Sequence, residues 1–254
     1  MSIALATAWR PRGELERFQR SIPALKEVYA SITVSLPPGA DPIIVQALEG
    51  FPGLRAAFTP DWSWGRHVSL TTALESGASH LQYADLDRLL RWVETRPDEW
   101  RRIAQEIQRH DCLVIGRTAA AYRTHPRALA ETEAISNLVT SYLLGQPLDV
   151  SAGSKGFSRA AAEFLAANCR PGRALGSDAE WLVVLKRAGF AIDSLAVEGL
   201  DWESADRFQD RAAGPGEQQR AAGVYDMDPK NWQARVQVAL EIVQAGLEAQ
   251  QRSL

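Results

Sequence analysis

The hydrophobic positions in the first half of the chain alternate between short β-like runs and stretches with helical spacing. Apolar residues recur every three or four positions between Leu15 and Leu25, which is typical of an amphipathic helix. The β-like runs that separate such stretches cover residues 3–8, 31–36, 54–59, 79–84 and 112–115. This alternation of strands and helices predicts a mainly parallel sheet that is covered by helices.

Helical patterns dominate the second half of the chain. Helices are predicted over residues 126–144, 160–167, 181–188 and 231–250. Residues 151–156 are rich in glycine and serine and predict a turn. Residues 207–223 are rich in charged residues, glycine and glutamine, which predicts a mobile loop or lid.

Composition and charge narrow the class of protein. With 254 residues, of which 46% are hydrophobic and 23% charged, the chain can bury a sizeable core. Its net charge is -3, and its basic and acidic residues are interleaved along the chain. No basic stripe therefore predicts a nucleic-acid partner. No apolar run approaches the roughly 18 residues of a membrane-spanning helix. Because Cys112 and Cys169 form neither a disulfide framework nor a zinc motif, we expect a cytoplasmic protein without a transmembrane segment.

An acidic pair follows the predicted strand over residues 79–84. Asp85 and Asp87 would stand at the carboxyl edge of the sheet, where open α/β sheets bind ligands. Two carboxylates there can hold a divalent metal, Mg²⁺ or Mn²⁺, that also bridges phosphate oxygens. Acidic residues before a helix also complement the positive end of its dipole. Both interpretations stay open on the motif alone.

Four motifs, taken in chain order, give the chain a family resemblance. They are Gly65-Arg66-His67-Val68-Ser69-Leu70-Thr71-Thr72-Ala73 with Gly77, then Asp85-Leu86-Asp87, then Gly153-Ser154-Lys155-Gly156-Phe157-Ser158-Arg159, then Ser177-Asp178-Ala179-Glu180-Trp181 with Arg187-Ala188-Gly189-Phe190. This series resembles the glycosyltransferases of the GT-A fold, particularly family 2, over roughly residues 1–203. The resemblance implies a single-domain α/β protein with a GT-A (Rossmann-like) mixed, mainly parallel sheet flanked by helices.

The resemblance also implies how the chain is divided. Residues 1–110 would form the nucleotide-sugar (donor) half, which ends in the Asp-x-Asp region. Residues 111–206 would form the acceptor-binding half of the same domain, and residues 207–254 a loop plus a C-terminal helix.

The activity that the resemblance implies is transfer of a sugar from a nucleoside diphosphate donor to a hydroxyl acceptor, assisted by a divalent metal. Asp87 would be the main metal ligand, and Asp85 would touch the metal or the ribose. Asp178 would be the general base that deprotonates the acceptor hydroxyl, which inverts the anomeric centre. The other implied contacts are Thr7 and Arg10 under the nucleotide base, Arg66 at the diphosphate, and Gly153, Lys155 and Trp202 around the acceptor.

A structural alternative exists for Asp178. Ser177 and Glu180 fit a helix capping box, in which Ser177 caps the helix, Glu180 reaches back and Asp178 only complements the helix dipole. The catalytic and the capping interpretations can also hold together, because a base at a helix start is well placed while the dipole lowers its pKa.

The chain departs from the family pattern at several positions. The first strand ends in Ala6-Thr7-Ala8-Trp9-Arg10 in place of Pro-Thr-Tyr-Asn, and the second lacks Asp-Asp-Gly-Ser. No histidine follows His125, so a late histidine metal ligand is absent and Asp201 or Glu203 would have to replace it. Two alternatives therefore stay open: a GT-A-like protein that binds a nucleotide or glycan without turnover, and a sugar nucleotidyltransferase. The second would need a glycine-rich basic loop, of which Arg10-Pro11-Arg12-Gly13 is a poor version.

Overall fold

Within residues 2–253, the part of the chain that the computed structural model describes, seven strands form one sheet. The strands are β1 (Ile3–Ala8), β2 (Ser31–Leu36), β3 (Leu54–Phe58), β4 (His80–Ala84), β5 (Cys112–Arg117), β6 (Ser154–Ser158) and β7 (Ile192–Val197). Their order across the sheet is β3-β2-β1-β4-β6-β5-β7. Neighbouring strands are parallel, except that β6 runs antiparallel to β4 and β5. The predicted mixed, mainly parallel sheet is confirmed.

Helices cover both faces of this sheet. They are α1 (Leu15–Val28), α2 (Pro42–Glu49), α3 (Gly65–Leu74), α4 (Leu86–Thr95), α5 (Pro97–Ile107), α6 (Ala119–Tyr122), α7 (Arg127–Leu144), α8 (Arg159–Asn168), α9 (Ser177–Arg187), α10 (Pro215–Asp226) and α11 (Pro229–Gln251). None of the helices in the described range combines the length and the apolar character that crossing a bilayer requires.

The hydrophobic core lies on both faces of the sheet, because successive residues of a strand point to opposite sides. In β1, Leu5 belongs to a cluster with residues of α1, α4 and α5. Ala4 and Ala6 belong to a second cluster with residues of α3, α8 and α9. At the start of α3, a Cβ on Gly65 would lie 3.1 Å from the Cβ of Ala8. This close approach brings the first turn of α3 to the end of β1.

The strand order reverses between β1 and β4. From β1 the chain adds β2 and β3 on one side, then returns to place β4 on the other side of β1. The two strands are parallel, with Ala6 opposite Tyr83. A reversal of this kind leaves a crevice at the carboxyl ends of the strands, where open α/β sheets bind ligands.

The segment predicted as a mobile loop over residues 207–223 is helical in its second half. Residues 207–214 are irregular, whereas α10 begins at Pro215. The composition was misleading because the helix has a defined start: Pro215 occupies the first turn, and the Glu217 carboxylate accepts a hydrogen bond of 2.7 Å from the Gly214 amide. The prediction of a loop is wrong for residues 215–223.

Buried arginines hold the irregular part of this segment in place. Arg91 of α4 contacts Asp201 at 2.7 Å and Asp206 at 2.8 Å, and it donates to the carbonyl oxygen of Ala213 at 3.2 Å. Arg17 of α1 contacts the other carboxylate oxygen of Asp206 at 3.1 Å. Since both guanidinium groups are buried, these ion pairs tie residues 201–213 to the body of the protein.

We expect the Asp206→Ala variant to lower the free energy of unfolding by about 3 kcal/mol, the lower end for breaking a buried ion pair, because Arg17 and Arg91 each keep another partner. Urea unfolding followed by circular dichroism measures the change. The matched control is Asp210→Ala, which removes an exposed carboxylate from the same segment and should change stability by less than about 0.5 kcal/mol. Equal effects of the two substitutions would contradict the anchoring of the segment.

Candidate functional site

A cleft of about 230 Å³ opens at the carboxyl ends of β1, β2 and β4. Its lining includes Ala8, Trp9, Arg10, Arg12, Ser35, Leu36, Pro37, Trp62, Gly65, Arg66, Tyr83, Asp85 and Asp87. The cleft thus lies at the reversal of strand order. Four of the predicted donor-site residues line it, namely Arg10, Arg66, Asp85 and Asp87.

The floor of the cleft is an ion pair between Arg66 and Asp85. One guanidinium nitrogen of Arg66 lies 2.9 Å and 3.2 Å from the two carboxylate oxygens of Asp85. The Tyr83 hydroxyl donates a hydrogen bond to Asp85, and the Arg66 guanidinium lies 5.3 Å from the centre of the Tyr83 ring. Asp85 occupies the N-cap position of α4, yet its side chain makes no capping hydrogen bond. Its carboxylate therefore serves the ion pair and not the helix end.

A second carboxylate lies on the other side of Arg66. Asp178, at the start of α9, accepts a 2.8 Å contact from Arg66 and a 2.5 Å contact from Lys155. Burial alone would raise the pKa of Asp178, but the charges of Arg66 and Lys155 outweigh it and hold that pKa below its usual range. A carboxylate held by two cations is a weak proton acceptor. Its role as general base stays a prediction and requires one of the cations to move away.

The capping box predicted at the start of α9 is wrong. The helix has Gly176 at its N-cap, without a side-chain capping hydrogen bond. The Ser177 hydroxyl donates instead to the carbonyl oxygen of Ala174, and Glu180 accepts a hydrogen bond from Arg252. Asp178 and Glu180 form ion pairs with residues distant in sequence, so their carboxylates do not cap the helix.

Asp87 is the open carboxylate of the cleft. One of its oxygens accepts a 3.0 Å hydrogen bond from the Arg88 amide. Within residues 2–253 no side chain donates a hydrogen bond to it or forms an ion pair with it. Burial, together with the charges of Glu203 and Asp85, raises the pKa of Asp87 to about 7.

These residues supply only some of the ligands that a divalent metal ion needs. Both oxygens of Asp85 are engaged by Arg66, which leaves Asp87 as the free donor. No group of three or more His, Cys, Asp or Glu side chains in the described range is arranged to hold a metal ion. A site with one or two carboxylates suits an ion that shares its coordination with the phosphate oxygens of a substrate. The donor set therefore fits a metal that arrives with a nucleotide better than a resident one.

The other four predicted contacts do not line the cleft. Thr7 is fully buried in β1, Lys155 is 1% exposed, and Trp202 is 3% exposed. The Trp202 ring packs against Tyr225 with centroids 6.1 Å apart. Gly153 lies against Asp85, whose amide donates a 3.0 Å hydrogen bond to the Gly153 carbonyl oxygen. Ligand roles for these four residues stay predictions.

Several residues of the cleft were not singled out from the sequence. One side of the cleft is formed by Ser35, Leu36 and Pro37. The sequence could have indicated them, because Pro37 directly follows a predicted strand, where ligands bind in such sheets. Tyr83 of β4 precedes Asp85 by two residues, and the backbone of Asp85 is still extended, so strand periodicity places both side chains on one side of the sheet.

Comparison with known proteins supports the fold. Neither a protein-family model nor a curated protein matches the chain. The solved structure of glucosyl-3-phosphoglycerate synthase from Mycobacterium tuberculosis with phosphoglyceric acid has a TM-score of 0.51 and 15% identity, over 93% of this chain and 80% of that chain. This likeness, together with the strand order, shows the GT-A fold that the motifs imply. At this identity it shows nothing about the reaction.

Two further structures score lower and support no inference by themselves. The same synthase with Mn²⁺, uridine diphosphate and phosphoglyceric acid has a TM-score of 0.49 and 14% identity, over 92% of this chain and 78% of that chain. The 4-diphosphocytidyl-2C-methyl-D-erythritol synthase of Anaerococcus prevotii has a TM-score of 0.48 and 12% identity, over 89% of this chain and 99% of that chain.

We expect Gly153→Ala to destabilise the protein by about 2–4 kcal/mol, because the residue has left-handed backbone and its new Cβ would meet Asp85. Gly153 has φ +69, and a Cβ there would lie 2.5 Å from a carboxylate oxygen of Asp85. Gly145→Ala is the matched control, since Gly145 has φ +72 and open space around its Cβ. The control should lower the free energy of unfolding only by the backbone strain, about 1 kcal/mol. Equal losses in urea unfolding would show that the contact with Asp85 is unimportant.

The raised pKa of Asp87 predicts a pH dependence of stability. The folded state keeps the proton between the ordinary carboxyl pKa of 3.8 and about 7, whereas the unfolded chain releases it. The contribution of Asp87 to the free energy of unfolding should therefore fall as pH rises through this range. Asp87→Asn should remove that fall and be more stable than the native protein by about 1–3 kcal/mol at about pH 8, with little difference near pH 4. A gain that is independent of pH, or one shared by the exposed control Asp210→Asn, would exclude the Asp87 charge as its cause.

Proposed function

We propose that this protein is a glycosyltransferase that moves a sugar from a nucleoside diphosphate donor to a hydroxyl acceptor. The observation that carries the proposal is the cleft at the β1–β4 reversal of a GT-A fold, with Arg66 at its floor and the open carboxylate of Asp87 beside it. The glucosyl-3-phosphoglycerate synthase that shares this fold is named for a glucosyl product, which supports the class without fixing the donor or the acceptor.

The nucleoside would occupy the part of the cleft nearest β1 and β2. Trp62 is a half-exposed aromatic ring at the rim and would stack on the base. Ser35 of β2 also lines the cleft, where backbone groups would bind the base edge. Arg10 and Arg12 at the rim offer positive charge to the diphosphate.

Arg66 would neutralise the diphosphate as the bond to the sugar breaks. The leaving diphosphate gains negative charge, and a guanidinium fixed next to it stabilises that charge in the transition state. A divalent ion held by Asp87 and the phosphate oxygens would supply further positive charge. Asp85 would become a second ligand when Arg66 shifts its hydrogen bonds from Asp85 to the diphosphate.

The same shift would prepare Asp178 as the base. In the free protein Asp178 is paired with Arg66 and Lys155. When the diphosphate attracts Arg66, Asp178 keeps only Lys155 and becomes a better proton acceptor for the acceptor hydroxyl. Donor binding would thereby precede activation of the acceptor, and attack from the opposite side of the sugar would invert the anomeric centre.

One observation favours a protein that binds a nucleotide without turning it over. Apart from Asp87, the carboxylates at the cleft floor are already satisfied by cations, as Asp85 is by Arg66. If Arg66 never leaves Asp85 and Asp178, neither carboxylate can act. A nucleotidyltransferase is a third candidate, because Arg10 and Arg12 of the loop after β1 do line the cleft.

We expect one nucleoside diphosphate, among UDP, GDP, CDP, ADP and dTDP, to raise the melting temperature of the protein in the presence of Mn²⁺, because a ligand that binds only the folded state stabilises it. The metal-dependent part of the shift should vanish in Asp87→Ala and persist in the control Asp210→Ala. An absence of any shift with all five nucleotides would overturn the proposal.

The products of the reaction separate the three candidates. With the matching nucleotide sugar, a transferase releases the free nucleoside diphosphate. A nucleotidyltransferase releases pyrophosphate when it is supplied instead with a nucleoside triphosphate and a sugar phosphate, and a binding protein releases neither product. Release of nucleoside diphosphate that depends on an added hydroxyl acceptor would support transfer. Tight binding without release would favour the binding protein.

A further inference from the structure

Two long helices lie side by side at the surface of the protein. The Glu133 carboxylate of α7 accepts a 2.5 Å contact from Arg235 of α11. Ten residues further along α7, Leu143 lies 3.2 Å from the position that a Cβ on Gly246 would occupy. The two contacts join residues in the same order along both helices, so α7 and α11 run parallel.

The outer faces of both helices are apolar. On α7 the exposed residues Ile135, Leu138 and Tyr142 recur at i, i+3 and i+7, and on α11 Val236, Leu240 and Leu247 recur at i, i+4 and i+11. We call these six residues the α7–α11 patch. Their exposed fractions range from 44% for Leu247 to 79% for Tyr142. These spacings place each set on one side of its helix.

The patch carries no charge. Residues 134–148 contain no charged side chain. Between Val236 and Leu247 the only charged residue is Glu241, whose carboxylate turns away from the patch to accept a 3.1 Å hydrogen bond from the Gly176 amide. An uncharged apolar face across two adjacent helices is unusual for a surface that stays in water.

The area of the patch suits a protein interface. Six side chains of this size, each about half exposed or more, expose on the order of 600 Å², which is at the upper limit for the largest patch of a typical monomer. Half-buried Val139 and Val243 add to it. A standard interface buries roughly 800 Å² per partner, so the patch with a polar rim would be sufficient.

We propose that two copies of this chain associate through the α7–α11 patch as a symmetric dimer, in which the two helix pairs pack against each other. A symmetric dimer needs one patch that complements itself, and an uncharged patch meets its copy without repulsion between like charges. A membrane surface is a poorer partner, because interfacial helices carry Lys and Arg along the polar side. The exposed polar residues here are glutamines, such as Gln237 and Gln244.

Sedimentation velocity over about a hundredfold range of micromolar concentrations tests the proposal, because mass action makes a dimer depend on concentration. The native protein should sediment with twice the chain mass of 27.9 kDa at the higher concentrations. The double variant Leu138→Glu with Leu240→Glu should weaken association by at least about a hundredfold, since it places like charges in the centre of the interface. Tyr142→Lys provides a second, independent disruption at the most exposed position of the patch.

The matched control is Ile43→Glu, which places the same charge on an exposed apolar residue of α2 outside the patch and should leave the dimer intact. Circular dichroism checks that each variant is folded. A native protein that stays monomeric at every concentration overturns the proposal, as does a dimer that both sets of patch substitutions leave intact. A monomer that instead co-sediments with phosphatidylglycerol vesicles would assign the patch to a membrane and equally overturn the dimer.

Discussion

The Arg66 guanidinium, buried between Asp85 and Asp178, is the interaction on which the arrangement of the cleft depends. A buried charge is tolerated only when it is paired and hydrogen-bonded, so the three side chains fix one another's positions. They come from α3, the end of β4 and the start of α9, and Lys155 of β6 joins them through Asp178. One ion-pair cluster therefore joins the predicted donor and acceptor halves directly beneath the cleft.

This cluster also gives the cleft its electrostatic character. Arg66 and Lys155 balance Asp85 and Asp178, so the floor is close to neutral while Asp87 beside it stays free of an ion pair. A diphosphate would compete with the carboxylates for Arg66, and each carboxylate that it releases becomes able to bind a metal ion or a proton. The proposed transfer follows from this competition. In such an arrangement the same ion pairs would keep the site inactive until a ligand displaced them.

The sequence predicted those parts of the fold that depend on local patterns. The bounds of β1 and β2 follow from runs of apolar residues flanked by turn residues, and the order of the motifs indicated the GT-A fold. The edge strand β7 was missed, because Asp193 and Ser194 interrupt its apolar pattern where the sheet faces water. In the site, Arg66 and the two aspartates after β4 were predicted to lie together and do. The burial of Lys155 could not be predicted, because its partner Asp178 lies 23 residues away and only the folded sheet brings them into contact.

The central claim is that a nucleoside diphosphate binds in the cleft above Arg66, and amide hydrogen exchange with each of the five nucleotides and Mn²⁺ tests it most directly. One nucleotide should slow exchange in the segments that line the cleft, residues 8–12, 35–37, 62–66 and 85–87, and leave the outer helices α7 and α11 unchanged. Slowed exchange confined to segments outside the cleft, or no change with any of the five, would contradict the account.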